Sequence, residues 1–137
     1  MVLDYTGVNW VAVIAAAVAN VVIGFVWYAP QVFGRRWAAL SGRPLPTAGQ
    51  VPVTTYVAGV VIALVVAYVL ALFAGGLGVT GPVDGAIVGF LAWLGFAATA
   101  TVGAVIFEGR TWDYWALNAG YILVALVVMG AIIGYWA

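Results

Sequence analysis

The chain has no cysteine, no histidine and no lysine, and Ser41 is its single serine. Each absence removes a class of chemistry. Without cysteine or histidine there is no disulfide, no thiolate nucleophile, no Cys/His zinc site and no histidine-ligated haem. Without histidine or lysine, no neighbouring base of that kind activates Ser41. Charge is equally sparse: four arginines and four acids make up 6% of 137 residues and cancel to a net charge of zero. A soluble domain has roughly a quarter of its residues charged, and a nucleic-acid binder carries a basic face. Neither description fits, and no cofactor or metal is expected.

What the chain has instead is apolar length. Hydrophobic residues make up 67% of it, and the mean hydropathy is +1.21. A helix needs about 20 mostly apolar residues to cross roughly 30 Å of hydrocarbon. Four runs qualify, at about residues 8–28, 52–73, 82–107 and 114–136. Residues 1–137 therefore read as one all-α membrane domain, a four-helix transmembrane bundle. Pro52 and Pro82 suit the first helical turn, where a missing N–H has no helical partner anyway. The stretch before the first run carries Asp4 and no positive segment. No cleavable signal peptide is expected, and the first run should stay in the mature protein.

Arg35, Arg36 and Arg43 fall in the first loop and Arg110 in the third. Those loops share a side in a four-helix chain, so the excess of arginine puts both in the cytoplasm and both termini outside. Two aromatic belts agree: Tyr5, Trp10, Tyr135 and Trp136 at one interface, Trp27, Tyr28, Trp37, Trp112, Tyr114 and Trp115 at the other. A bacterial cytoplasmic membrane is the expected location. Gly34-Arg35-Arg36-Trp37 and Gly109-Arg110-Thr111-Trp112 share the pattern G-R-x-W, each just past a phenylalanine (Phe33, Phe107). They would relate the halves as parallel repeats about an axis along the membrane normal, or simply reflect what a cytoplasmic interface selects.

Lipid tails are as apolar as leucine, so membrane helices associate by close packing at small residues and by a few hydrogen bonds. Helix 2 carries Gly59, Ala63, Ala67 and Ala71 at four-residue spacing; helix 3 carries Gly85 and Gly89, continuing to Ala92, Thr99 and Gly103; helix 4 ends with Gly130 and Gly134. These are more seams than one bundle uses internally. A homo-oligomer or a subunit of a larger complex is expected, with membrane lipids as the other partner.

The first run adds polarity, and the other three are expected to pack around it. Asn9 and Asn20 are eleven residues apart, which at about 100° per residue returns them to nearly the same face. Ala16, Gly24 and Trp27 extend that face. Asn20 lies near mid-membrane, where an unpaired amide costs a few kcal/mol, so it must meet a helix, a water or a ligand. Thr99, Asn118 and Tyr121 are the expected partners. The candidate intramembrane polar face is thus Asn9, Asn20, Gly24, Trp27, Asn118 and Tyr121, serving either interhelical hydrogen bonding or a substrate or headgroup pocket. A second cluster, Arg35, Arg36, Glu108, Arg110 and Asp113, lies at the arginine-bearing interface. Local ion pairs within the third loop are expected, with Asp113 capping the helix before Tyr114; a charged gate or docking site is the functional alternative.

Asn9-Trp10, Gly24, Trp27-Tyr28, Phe33-Gly34 and Trp37 resemble the opening signature of the bacterial membrane-protein family known as domain of unknown function 1761. Phe107-Glu108-Gly109-Arg110, Asn118-Ala119-Gly120-Tyr121 and Gly130-Ala131 continue the resemblance over nearly the whole chain. It implies four membrane helices and no established activity. The helix 4 motif of that family includes a histidine; here the residue after Tyr121 is Ile122, so histidine chemistry is not implied.

An enzyme needs a nucleophile, a base or a metal brought together, and no such set is visible. Proton-coupled transport needs an ionisable group inside the membrane, whereas Asp4, Asp84, Glu108 and Asp113 all sit at or beyond run ends. Three classes stay open. One is an accessory, scaffolding or lipid-organising protein, marked by a dry, packed interior. Another is an oligomeric pore or small-solute facilitator, marked by a wet cavity at Asn20 and Asn118. The third is a lipid-acting enzyme, marked by a headgroup at Arg35, Arg36 and Glu108.

Overall fold

The four apolar runs form four helices in the computed structural model, which describes residues 3–45 and 48–137. Helix α1 (Trp10–Trp27) starts where Asn9 turns its Oδ1 onto the backbone N–H groups of Val11 and Ala12, at 3.0 and 3.3 Å. Just before it, the exposed Asp4 carboxylate accepts hydrogen bonds from the Gly7 and Thr6 N–H groups. A single π-helical turn (Pro30–Gly34) leads into the short α2 (Arg35–Ser41), which Gly42 ends in left-handed conformation. Helix α3 (Val53–Gly76) follows Pro52, which sits in extended conformation one residue before the helix. Helix α4 (Pro82–Glu108) has Pro82 in its first turn and carries a π-helical turn, Trp93–Ala98, in mid-span. Helix α5 (Trp112–Tyr135) completes an all-α fold.

The third loop differs from expectation. Thr111, not Asp113, caps α5: its hydroxyl accepts from the Tyr114 N–H at 3.2 Å, and Asp113 lies in the first turn. A carboxylate there still favours the positive helix end. The two G-R-x-W stretches are also unlike in backbone. Gly34 is buried and helical, whereas Gly109 ends α4 at φ 72°.

The packing centre is α5 rather than α1. It touches α1, α3 and α4, and it buries Leu117, Ala119, Ala125, Met129, Gly130, Ile133 and Gly134. The reason is its small residues, which let neighbours approach from several directions. Against α4 the approach is backbone to backbone. A Cβ on Gly85 would land on the Gly130 carbonyl oxygen, one on Gly89 on that of Leu126, and one on Gly134 on that of Gly81. Between α1 and α3 the core is Ala12, Val13, Ala16 and Ala17 with Ala63, Ala67 and Leu70.

Two expected seams run only part of their length. Residues 53–62 of α3 are exposed throughout and Gly59 has open space around it, so that seam begins at Ala63. On α4, Gly85 and Gly89 meet α5, but Thr99 is exposed and its hydroxyl donates to the Gly95 carbonyl at 2.7 Å. The π-helical turn inserts one residue, which rotates everything after it by about 100° relative to a regular helix.

Candidate functional site

Helix ends bring the polar side chains together towards the arginine-bearing end. Asn20 on α1 is buried at 9% exposure, and Tyr121 on α5 donates its hydroxyl to the Asn20 Oδ1. Gly24, one turn on, is open enough for the Tyr121 ring: a Cβ there would sit 3.2 Å from the phenol oxygen. Past the end of α1, Tyr28 donates to Asn118 Oδ1 at 2.8 Å, and Asn118 Nδ2 donates to the Tyr114 carbonyl at 3.2 Å. The Tyr28 and Tyr121 rings meet edge to face at 5.5 Å. Among the described residues no buried side-chain nitrogen or oxygen lacks a partner.

Indoles add the second set of contacts. Trp27 donates its Nε1–H to the Leu117 carbonyl at 3.0 Å, and Trp93 donates to the Ala119 carbonyl at 2.8 Å. Two tryptophans from α1 and α4 thus grip the same turn of α5, two residues apart, where Gly120 leaves room for the Trp27 ring at 3.2 Å. Trp115 reaches back to α4, donating to Thr101 Oγ1 at 3.1 Å, while Thr101 donates to the Ala97 carbonyl at 2.7 Å. Trp93, Thr101 and Trp115 were absent from the face read in the sequence. Part of that signal was available: the Trp93 indole N–H, at mid-span, must find an acceptor.

Of the six residues expected on the polar face, five converge here: Asn20, Gly24, Trp27, Asn118 and Tyr121. Asn9 does not. Its amide is committed to capping α1 at the opposite end, because the first N–H groups of a helix have no other partner.

The charged cluster assembles differently from expectation. Asp113 pairs with Arg36 of α2 at 2.7 Å, not with Arg110 of its own loop. Arg110 lies over the Tyr114 ring, 4.9 Å from its centre. Arg35 and Glu108 are exposed, and the Arg36–Asp113 contact is the one ion pair among the described residues.

Below the π-helical turn α4 and α5 part, leaving a cleft of about 570 Å³ lined by Thr101, Ala104, Phe107, Glu108, Tyr114, Trp115 and Asn118, among others. Residues 11–134 match the model of the family described as "Protein of unknown function (DUF1761)". The chain belongs to this family. No curated protein and no solved structure matches it.

In this DUF1761 member several residues that carry the resemblance tie α1 and its C-terminal end to α5: Trp27 bonds to the Leu117 carbonyl, Tyr28 to Asn118 and Tyr121 to Asn20, with Gly24 and Gly120 making room. Four helices of 18, 24, 27 and 24 residues, each apolar enough to cross a membrane, make it a multi-pass membrane protein.

Proposed function

We propose that this DUF1761 protein is an accessory, lipid-organising membrane protein that works through helix packing and lipid contact, not as a conduit or a catalyst. The supporting observation is the Asn20–Tyr121 pair: the polar group deepest in α1 is spent on another helix. The α4/α5 cleft reaches Asn118 but not Asn20, which does not favour the alternative of a pore with a wet cavity at both asparagines. The lipid-facing surface is large. Only 6% of the most apolar stretch of α4 is buried, and residues 53–62 of α3 are uncovered. A second copy or a larger complex docks on that uncovered half of α3 in this reading, and the arginine-bearing end faces the cytoplasm.

Reconstitution tests this directly. In lipid vesicles, a lipid-order dye should shift in proportion to protein density, while leakage of entrapped small solutes stays at the protein-free level. Solute flux that Asn20→Leu abolishes would overturn the reading in favour of a pore.

A further inference from the structure

The cleft between α4 and α5 has a composition of its own. Above the π-helical turn, Gly85 and Gly89 lock α4 against α5. Below it, Trp115 bridges to Thr101 and the small residues Ala100, Gly103 and Ala104 form the α4 wall. Three aromatic side chains, Phe107, Tyr114 and Trp115, line the space, and its one charged lining residue is Glu108. At about 570 Å³ it lies within the roughly 300–1,000 Å³ of small-molecule sites.

Rings plus a carboxylate are the chemistry that recognises an ammonium group, since the ring face is electron-rich and the acid supplies the counter-charge. Arg110 already lies over the Tyr114 ring at 4.9 Å, so that ring draws a cation in this structure. Asp113 does not compete for a ligand cation, being paired with Arg36 at 2.7 Å, while Glu108 has no ion pair among the described residues. The cleft lies at the end of the spans, at headgroup level if they cross a bilayer.

We propose that the α4/α5 cleft binds one zwitterionic phospholipid with an ammonium headgroup, the ammonium at Glu108 among the aromatic rings and an acyl chain along Ala100, Gly103 and Ala104. Arg110, beside the same ring, suits the lipid phosphate. An anionic headgroup without an ammonium would meet the Glu108 carboxylate and is disfavoured. This deepens the lipid-organising reading by naming the lipid.

The test is native mass spectrometry of the purified, delipidated protein, titrated with phosphatidylethanolamine or phosphatidylglycerol of equal chain length. One phosphatidylethanolamine per chain is expected, with phosphatidylglycerol about tenfold weaker. Glu108→Gln, at an exposed position, should bring the two lipids level, whereas Asp113→Asn should leave the preference intact. Ala104→Trp, filling the wall, should remove both. Equal binding of the two lipids by the unaltered protein, or a preference that survives Glu108→Gln, overturns the proposal. Either result leaves the packing reading standing, and solute flux through vesicles would sink that reading without touching this one.

Discussion

Asn20 and Tyr121 show what a single polar residue does inside a membrane helix. The Tyr121 hydroxyl and the Asn20 Oδ1 serve each other as donor and acceptor, and removing one strands its partner. Asn20→Leu should therefore lower stability by about 1–3 kcal/mol, read as a fall in thermal unfolding temperature in detergent. Adding Tyr121→Phe should recover part of that loss, because both polar groups are then gone; a double variant that loses the sum of two full single effects would show that the pair is not coupled. At the exposed N-terminal turn, Asp4 behaves differently. The Gly7 N–H first, then the Thr6 N–H and hydroxyl, hold its carboxyl below its ordinary value of 3.8. A depressed value means the turn is favoured above that ordinary value and lost as pH falls through the lowered one. The Thr6 and Gly7 amide resonances should accordingly titrate below pH 3.8. Much of this scale was legible in the sequence: a mid-span asparagine demands a partner, and Tyr121 was among those expected. Asn9 was misread because helical spacing places it on the same face as Asn20, while its position at the helix start commits its amide to the backbone.

At the scale of elements, glycine decides which helices touch. The α4–α5 contact is backbone on backbone at Gly85, Gly89, Gly130 and Gly134, so no flexible side chain can move aside. Gly89→Ala should destabilise by more than the usual overpacking cost of about 1–3 kcal/mol. Gly59→Ala, on the open half of α3, should be neutral or slightly stabilising, since alanine is the better helix former. Unfolding of both variants side by side checks this, and equal effects would contradict it. The Gly85–Gly89 seam could be read from four-residue spacing, but its continuation to Thr99 and Gly103 could not. That spacing assumes an unbroken 3.6-residue period, and the π-helical turn at Trp93–Ala98 breaks it. The centrality of α5 was hidden for a related reason. Asparagines mark α1 plainly, whereas alanines and glycines mark α5 only once its neighbours are in place.

For the whole molecule, length and apolarity were enough to read four spans, and the described residues form four helices long and apolar enough to cross a membrane. The orientation proposed above rests on where the arginines lie. With Ser41→Cys, Thr111→Cys and Ala137→Cys made singly, an impermeant thiol reagent on intact cells should label only Ala137→Cys; labelling of Ser41→Cys instead would invert the topology. The absence of native cysteine makes each variant its own clean reporter. The same background allows the most direct test of a dry interior. Asn20→Cys and Ala16→Cys place a thiol on the buried face of α1, and Ser41→Cys serves as the accessible control. In detergent and in vesicles, a small water-soluble methanethiosulfonate should modify Ser41→Cys rapidly and leave the other two unreacted. Modification of Asn20→Cys or Ala16→Cys at a rate near that of Ser41→Cys would mean that water reaches the centre of the helices, and would contradict a protein that acts by packing.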